Sequence, residues 1–177
     1  MSQHPTLTPK DHELIEDLKS QGLIVDIFRA NVEIPSRVGC VFCPGPDHTM
    51  PLLNIIQRVR RASLTGEGFN LYPVPILGGA GRLLFHSKMT GDKDESSRLL
   101  EEITFATNNS YHYWLVTGEA PCLRGAETEV SLEENFRMII HAAEMLRGCY
   151  CVKQANAIVV PALLVDDNGV DLYIINR

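Results

Sequence analysis

The sequence predicts an α/β protein with three layers: a mostly parallel central sheet, flanking helices and a C-terminal antiparallel hairpin. Three observations carry that prediction. Helical and strand-like patterns alternate along most of the 177 residues, as they do where crossover helices join parallel strands. Arg37–Cys43 (RVGCVFC) and Tyr113–Val116 are short continuous apolar runs, the pattern of strands buried on both faces. The tail places Asp166-Asp167-Asn168-Gly169 between AIVVPALLV and VDLYII, and Asn-Gly between two apolar runs is a strong hairpin signal.

Taken in order, the elements have local reasons. Thr8 is suited to cap a helix that starts at Pro9, with Asp11 and Glu13 near its positive end. Leu14, Ile15 and Leu18 recur at helical spacing, and Gly22 ends the run. This helix packs either on its own domain or on a partner subunit. Leu23 to Phe28 is a strand or an extended connection. Arg37–Cys43 is the first core strand, bounded by Pro35 and Pro44. A helix is expected from Pro51, with Leu52, Leu53, Ile55, Ile56 and Val59 on its apolar face and Asp47 or Thr49 as its cap. Leu71–Leu77 (LYPVPIL) is a strand whose prolines disfavour a central position. A helix follows from Asp94 or Glu95 to about Asn108, then the strand at Tyr113–Val116, which Gly118 breaks into a loop. Ser131 and Glu134 open the last long helix with a capping-box pattern, and Gly148 closes it. Residues 1–35 are therefore read as an N-terminal helix and arm, and residues 36–177 as a single α/β domain.

Composition narrows the function classes. A formal net charge of -6 and a pI near 5.5 argue against sequence-independent nucleic-acid binding, which needs clustered cations. Arg58, Arg60 and Arg61 read as the solvated end of a helix. No apolar run reaches the roughly 18 residues of a membrane span, and the polar start, MSQHPTLTPKDHE, is no secretory signal. Five cysteines, an odd number, fit free or metal-bound thiols in a reducing, cytoplasmic setting.

Ligands of open α/β sheets bind at the carboxyl ends of the strands, which here means three loops: GCVFCPGPDHT, ILGGAGR and TGEAPCLRGA. Cys43 ends one core strand and Cys122 follows another, and Glu119 precedes Cys122 by three residues, so these three form a candidate zinc site. A catalytic zinc takes three protein ligands and a water. His48 and His112 rival Glu119 for the third position, and a buried thiol is the plain alternative for either cysteine. Cys40 and Cys43 have the spacing of a dithiol, yet on a strand they face opposite sides. Cys149 and Cys151 are most simply structural. Asp47 and His48 precede a helix N-terminus and pair a carboxylate with an imidazole, a general-base arrangement whose bland counterpart is helix capping. Gly79 and Gly81 allow close backbone approach to a ligand, with Arg82 available for a carboxylate or phosphate. GGAG is neither a Walker A loop nor a dinucleotide fingerprint. The expected ligand is a small molecule or anion.

These strings resemble the β-class carbonic anhydrases. VTGEAPCLRGA is similar to their V-x-G-H-x-x-C-G-A segment, with Gly118 and Cys122 matching. ILGGAGR is similar to the Ala-Gly loop of their second strand, and VPALLVDDNGVDLYII to their closing hairpin. The resemblance spans most of residues 36–177. It implies a zinc lyase or hydrolase acting on a substrate such as carbon dioxide or bicarbonate, metal ligands at Cys43, Glu119 and Cys122, and a homodimer paired through the N-terminal helix and sheet edge. Two departures accompany it. The family's metal-binding His corresponds to Glu119, and its Cys-x-Asp-x-Arg motif is met by Gly45 and Asp47, leaving Asp47 with Arg82 or Arg124 as the nearest replacement for the Asp–Arg pair. The alternative expectation is therefore a catalytically inactive member that binds a small anion or a protein partner through the same loops.

Overall fold

A computed structural model describes residues 6–30, 32–43, 46–62, 70–75, 93–121 and 130–176, with backbone only at 46–48, 61, 62 and 93–97. Its elements are α1 (Pro9–Ser20), β1 (Ile24–Asp26), β2 (Arg37–Phe42), α2 (Pro46–Ala62), β3 (Asn70–Pro75), α3 (Lys93–Asn108), β4 (Tyr113–Ala120), α4 (Leu132–Gly148), α5 (Tyr150–Gln154), β5 (Ile158–Asp166) and β6 (Val170–Ile175). Among the described residues six strands make one sheet, ordered β1-β6-β5-β4-β2-β3. The pairs β2–β3, β2–β4 and β4–β5 are parallel, while β5–β6 and β1–β6 are antiparallel. This is the expected α/β sheet with its antiparallel hairpin.

Strand order decides where the helices go. The chain steps outward from β2 to β3, then crosses back over β2 to β4 and continues the same way to β5. Right-handed crossovers send α2 to one face and α3 and α4 to the other. The cores agree. Leu52, Ile55, Ile56 and Val59 of α2 pack with Val38, Cys40, Phe42 and Leu115 on one face. Ile103 and Ala106 of α3, Ile139 and Ala143 of α4, and Ile15 and Leu18 of α1 pack with Val41, Trp114 and Val116 on the other. The N-terminal helix thus lies on its own domain, and β1 joins the sheet through Ile24↔Ile175.

Local signals place most boundaries. Thr8 and Asp11 form a reciprocal capping box at α1, and Gly22, at φ +69°, ends it in the left-handed conformation that glycine adopts without strain. Ser131 caps α4 by accepting from the Glu134 backbone N–H at 3.2 Å. Pro73 and Pro75 sit on β3, which is an edge strand, where a missing donor costs no ladder bond.

Two boundaries differ from expectation. Helix α2 begins at Pro46, not Pro51. Proline is well suited to the first helical position, and Pro51, further in, only forfeits one intrahelical donor. Asp47 and Thr49 therefore belong to the helix instead of capping it. Strand β4 runs on to Ala120, past Gly118, because β5 pairs with it residue for residue as far as Ala120↔Val165. Gly118 is a contact glycine, not a turn: a Cβ there would lie 2.5 Å from the Ile139 side chain.

Candidate site at the strand-order reversal

Strands β2 and β4 are neighbours whose outgoing connections leave in opposite directions, the point where open α/β sheets bind ligands. At its carboxyl end β2 finishes at Phe42 and is followed by half-buried Cys43. Val41 pairs with Val116 at the last rung of the β2–β4 ladder. Thr117 fastens the two strands there: its hydroxyl donates to the Val41 carbonyl at 3.0 Å.

Glu119 lies one residue further along β4, and its side chain is only 4% exposed. It was expected in a loop; it is in a strand. Alternation along β4 directs Tyr113, Leu115, Thr117 and Glu119 to the face covered by α2, and Trp114, Val116 and Ala120 to the other. Its backbone carbonyl accepts a 2.6 Å hydrogen bond from the side-chain amide of Asn135, itself buried on α4. Sequence reasoning passed over Asn135. Its signal was an amide on the inward stripe of α4, between Leu132 and Ile139, where only a polar partner justifies burial.

Because each helix runs back against the strand before it, α2 and α4 both present their N-termini at this end of the sheet. The dipoles of helix N-termini favour an anion. Asp47 and His48 lie in the first turn of α2. Arg82, Gly79, Gly81 and Cys122 lie outside the described residues, as does Arg124.

Two sequence candidates are removed from the site. His112 precedes Tyr113 at the opposite, amino end of β4, seven residues from Glu119, which is about 23 Å of extended strand. It lines a cleft of about 710 Å³ with Arg37, Pro35 and Asn156. The Cys40 thiol is fully buried on the α2 face, inside β2 and away from its carboxyl end, and burial pushes its pKa up to about 12.

Two thiolates and a carboxylate are a donor set that zinc accepts. Among the described residues no three His, Cys, Asp or Glu side chains gather to hold a metal, so a three-ligand site here draws on side chains outside them, Cys122, Asp47 or His48. No described helix is long and apolar enough to cross a membrane. No family model, no curated protein and no solved structure matches this chain.

Proposed function

We propose that this chain is a carbonic anhydrase-like protein that takes a small substrate such as carbon dioxide or bicarbonate in the crevice between β2 and β4. Cys43, Glu119 and Cys122 are the proposed zinc ligands. One observation carries the reading: Cys43 and Glu119 come at the carboxyl ends of the two adjacent parallel strands that flank the reversal of strand order, on the positions that the resemblance assigns to metal ligands. Because strand alternation puts Glu119 on the α2 face and Cys43 on the other, sharing one ion requires the chain to turn Cys43 toward that face after Phe42. A zinc ion held there supplies a Lewis acid that makes its bound water more acidic.

The roles of the chain's own groups follow from their charge and place. The first turn of α2 offers N–H donors to the substrate's negative oxygens. Asp47 and His48, on that turn, accept and pass on the proton. Arg82 and the backbone of Gly79 and Gly81 hold the anion. Asn135 fixes the Glu119 backbone, and with it the direction of the carboxylate. The proposal includes a homodimer and a cytoplasmic setting, where the thiols stay reduced.

Glu119 also favours a second reading. A carboxylate in place of a neutral imidazole adds negative charge to the site and weakens hydroxide formation near pH 7, which suits a protein that binds an anion or a partner without turning it over. Elemental analysis of the purified chain, with Cys43→Ser and Cys122→Ser beside it, tests both. About one zinc per chain, lost in each variant, followed by carbon dioxide hydration, supports the enzyme. Zinc without hydration supports the inactive binder. A wild type that takes up no zinc when refolded with it removes the metalloenzyme reading.

A further inference from the structure

At the end of the sheet opposite the strand-order reversal, the first residues of three neighbouring strands, Arg37 of β2, Tyr113 of β4 and Ile158 of β5, line one open cleft of about 710 Å³. A volume of that order suits a small ligand. Helices α3 and α5 end on its rim, and each closes with the same pair of backbone bonds. After α3, the N–H groups of Ser110 and Tyr111 donate to the carbonyls of Thr107 and Ala106; after α5, those of Asn156 and Ala157 donate to Lys153 and Val152. The motif holds Ser110 and Asn156 in the left-handed conformation, at φ 71° and 48°. At the matching place after α1 the chain has Gly22, which takes that conformation freely. Serine is strained there, and asparagine less so. Among the described residues these two alone have a positive φ without being glycine, and both line the cleft. Backbone preference favours glycine at both positions, so a hydroxyl and an amide kept on the rim of one cavity are explained by a ligand that they bind.

The charges on the cleft define the ligand's class. The Arg37 guanidinium donates through Nη1 to the Asn109 carbonyl at 2.9 Å and lies 6.0 Å from the Tyr111 ring centre. Those contacts orient the group and leave its Nε and Nη2 donors for a carboxylate. Glu33 lines the same cleft. Among the described residues neither Glu33 nor Arg37 has an ion pair. Ile158, 57% exposed, supplies an apolar wall beside them. We propose that this cleft binds a small zwitterion, an α-amino acid or short peptide with an apolar side chain. Arg37 takes its carboxylate, Glu33 its ammonium group, Ser110 and Asn156 the polar atoms at the rim, and Ile158 the apolar side chain. Four residues of chain set the Glu33 and Arg37 Cα atoms no more than about 14 Å apart, a gap that their own side chains shorten to the span of such a ligand. A simple anion would meet the like charge of Glu33, and a simple cation that of Arg37; a ligand carrying both charges matches both.

The test is a thermal-shift screen of the full chain with the proteinogenic L-amino acids and with leucyl-leucine, each at about 10 mM, followed by calorimetry on those that raise the melting temperature. At least one apolar compound is expected to bind with a Kd below about 1 mM. Acetylating its amine, or converting its carboxylate to an amide, is expected to weaken binding at least about tenfold, as are Glu33→Gln and Arg37→Gln. Arg37 also holds the end of α3, so Glu33→Gln carries this arm if Arg37→Gln does not fold. Ser110→Gly and Asn156→Gly separate binding from structure. Relief of strain is expected to leave their melting temperatures unchanged or raised, while affinity falls at least about threefold. Tighter binding of leucine, or of leucyl-leucine, supports the proposal in its amino-acid or its peptide form. Cys43→Ser, at the other end of the sheet, is expected to bind as the wild type does, so this proposal and the zinc reading fail separately. No shift with any of these compounds, equal affinity for the acetylated form, or glycine variants that bind as the wild type does would overturn the proposal.

Discussion

The Asn135 amide donates a 2.6 Å hydrogen bond to the Glu119 carbonyl, joining the first turns of α4 to the last residues of β4. Both residues are buried, at 6% and 4% exposure, so water does not replace the bond when it is lost. Asn135→Ala is expected to cost about 1–3 kcal/mol, the penalty for stranding a buried carbonyl. Urea unfolding checks this, and a loss under about 0.5 kcal/mol would show that the carbonyl finds another donor.

Gly118 and Ile139 form a second contact at the same strand end. Gly118→Ala places a methyl group against the Ile139 side chain and is expected to destabilise by about 1–3 kcal/mol through overpacking. Ile139→Val removes the terminal methyl group, so the alanine should cost less in that background. A double-mutant cycle with a coupling of at least about 0.5 kcal/mol is the expected outcome; strict additivity would place the strain elsewhere.

Alkaline stability is set in part by Cys40 and Tyr113. Burial raises the Cys40 thiol from its ordinary 9.0 to about 12 and the Tyr113 phenol from 10.0 to about 12. The folded chain therefore keeps protons that the unfolded chain releases above pH 9 and 10. Each group contributes fully below its unfolded value, and its contribution falls by about 1.4 kcal/mol per pH unit as pH rises toward 12. Chemical denaturation at pH 8 and pH 10.5 should show a shallower loss in Cys40→Ala and in Tyr113→Phe than in the wild type. An unchanged pH dependence in both variants would assign the loss to other groups.

Tyr113→Phe carries a separate expectation at neutral pH. Among the described residues the buried Tyr113 hydroxyl has no hydrogen-bond partner, so removing it discards an unmet desolvation cost. The variant should match the wild type or gain about 1 kcal/mol. A loss larger than that would mean that the hydroxyl bonds an internal water.

Glu119→His introduces the imidazole that the resembled family carries. If zinc is bound as proposed, the variant should keep the metal and raise carbon dioxide hydration relative to the wild type, since a neutral ligand leaves the bound water more acidic. Stopped-flow hydration with zinc content measured in parallel is the check. Retained zinc with no gain would show that Glu119 is not what limits activity.

How much of the site was legible in the sequence differs residue by residue. The position of Cys43 at the carboxyl end of β2 was legible because it closes a continuous apolar run between prolines, a pattern contained within a few residues. Glu119 was expected in a loop and lies in β4. Gly118 reads locally as a breaker, and only the approach of Ile139 from α4, together with pairing to β5, explains a glycine inside a strand. Asn135 was missed because its partner is a backbone carbonyl, which leaves no trace in residue identity.

The sequence by itself determined what depends on neighbours along the chain. The α1 capping box and its closing Gly22, the Ser131 cap, the hairpin at Asn168-Gly169 and the peripheral position of a proline-bearing β3 all follow from backbone preferences acting over a few residues. Tertiary structure decided what depends on residues distant in sequence. It set the strand order that makes β2 and β4 neighbours, removed His112 to the far end of β4, seated α1 on its own sheet and carried Glu119 into the buried end of a strand. The physical reason is that periodicity records which side of an element is apolar. The face it meets, and how closely, depends on register and packing between elements separated by much of the chain.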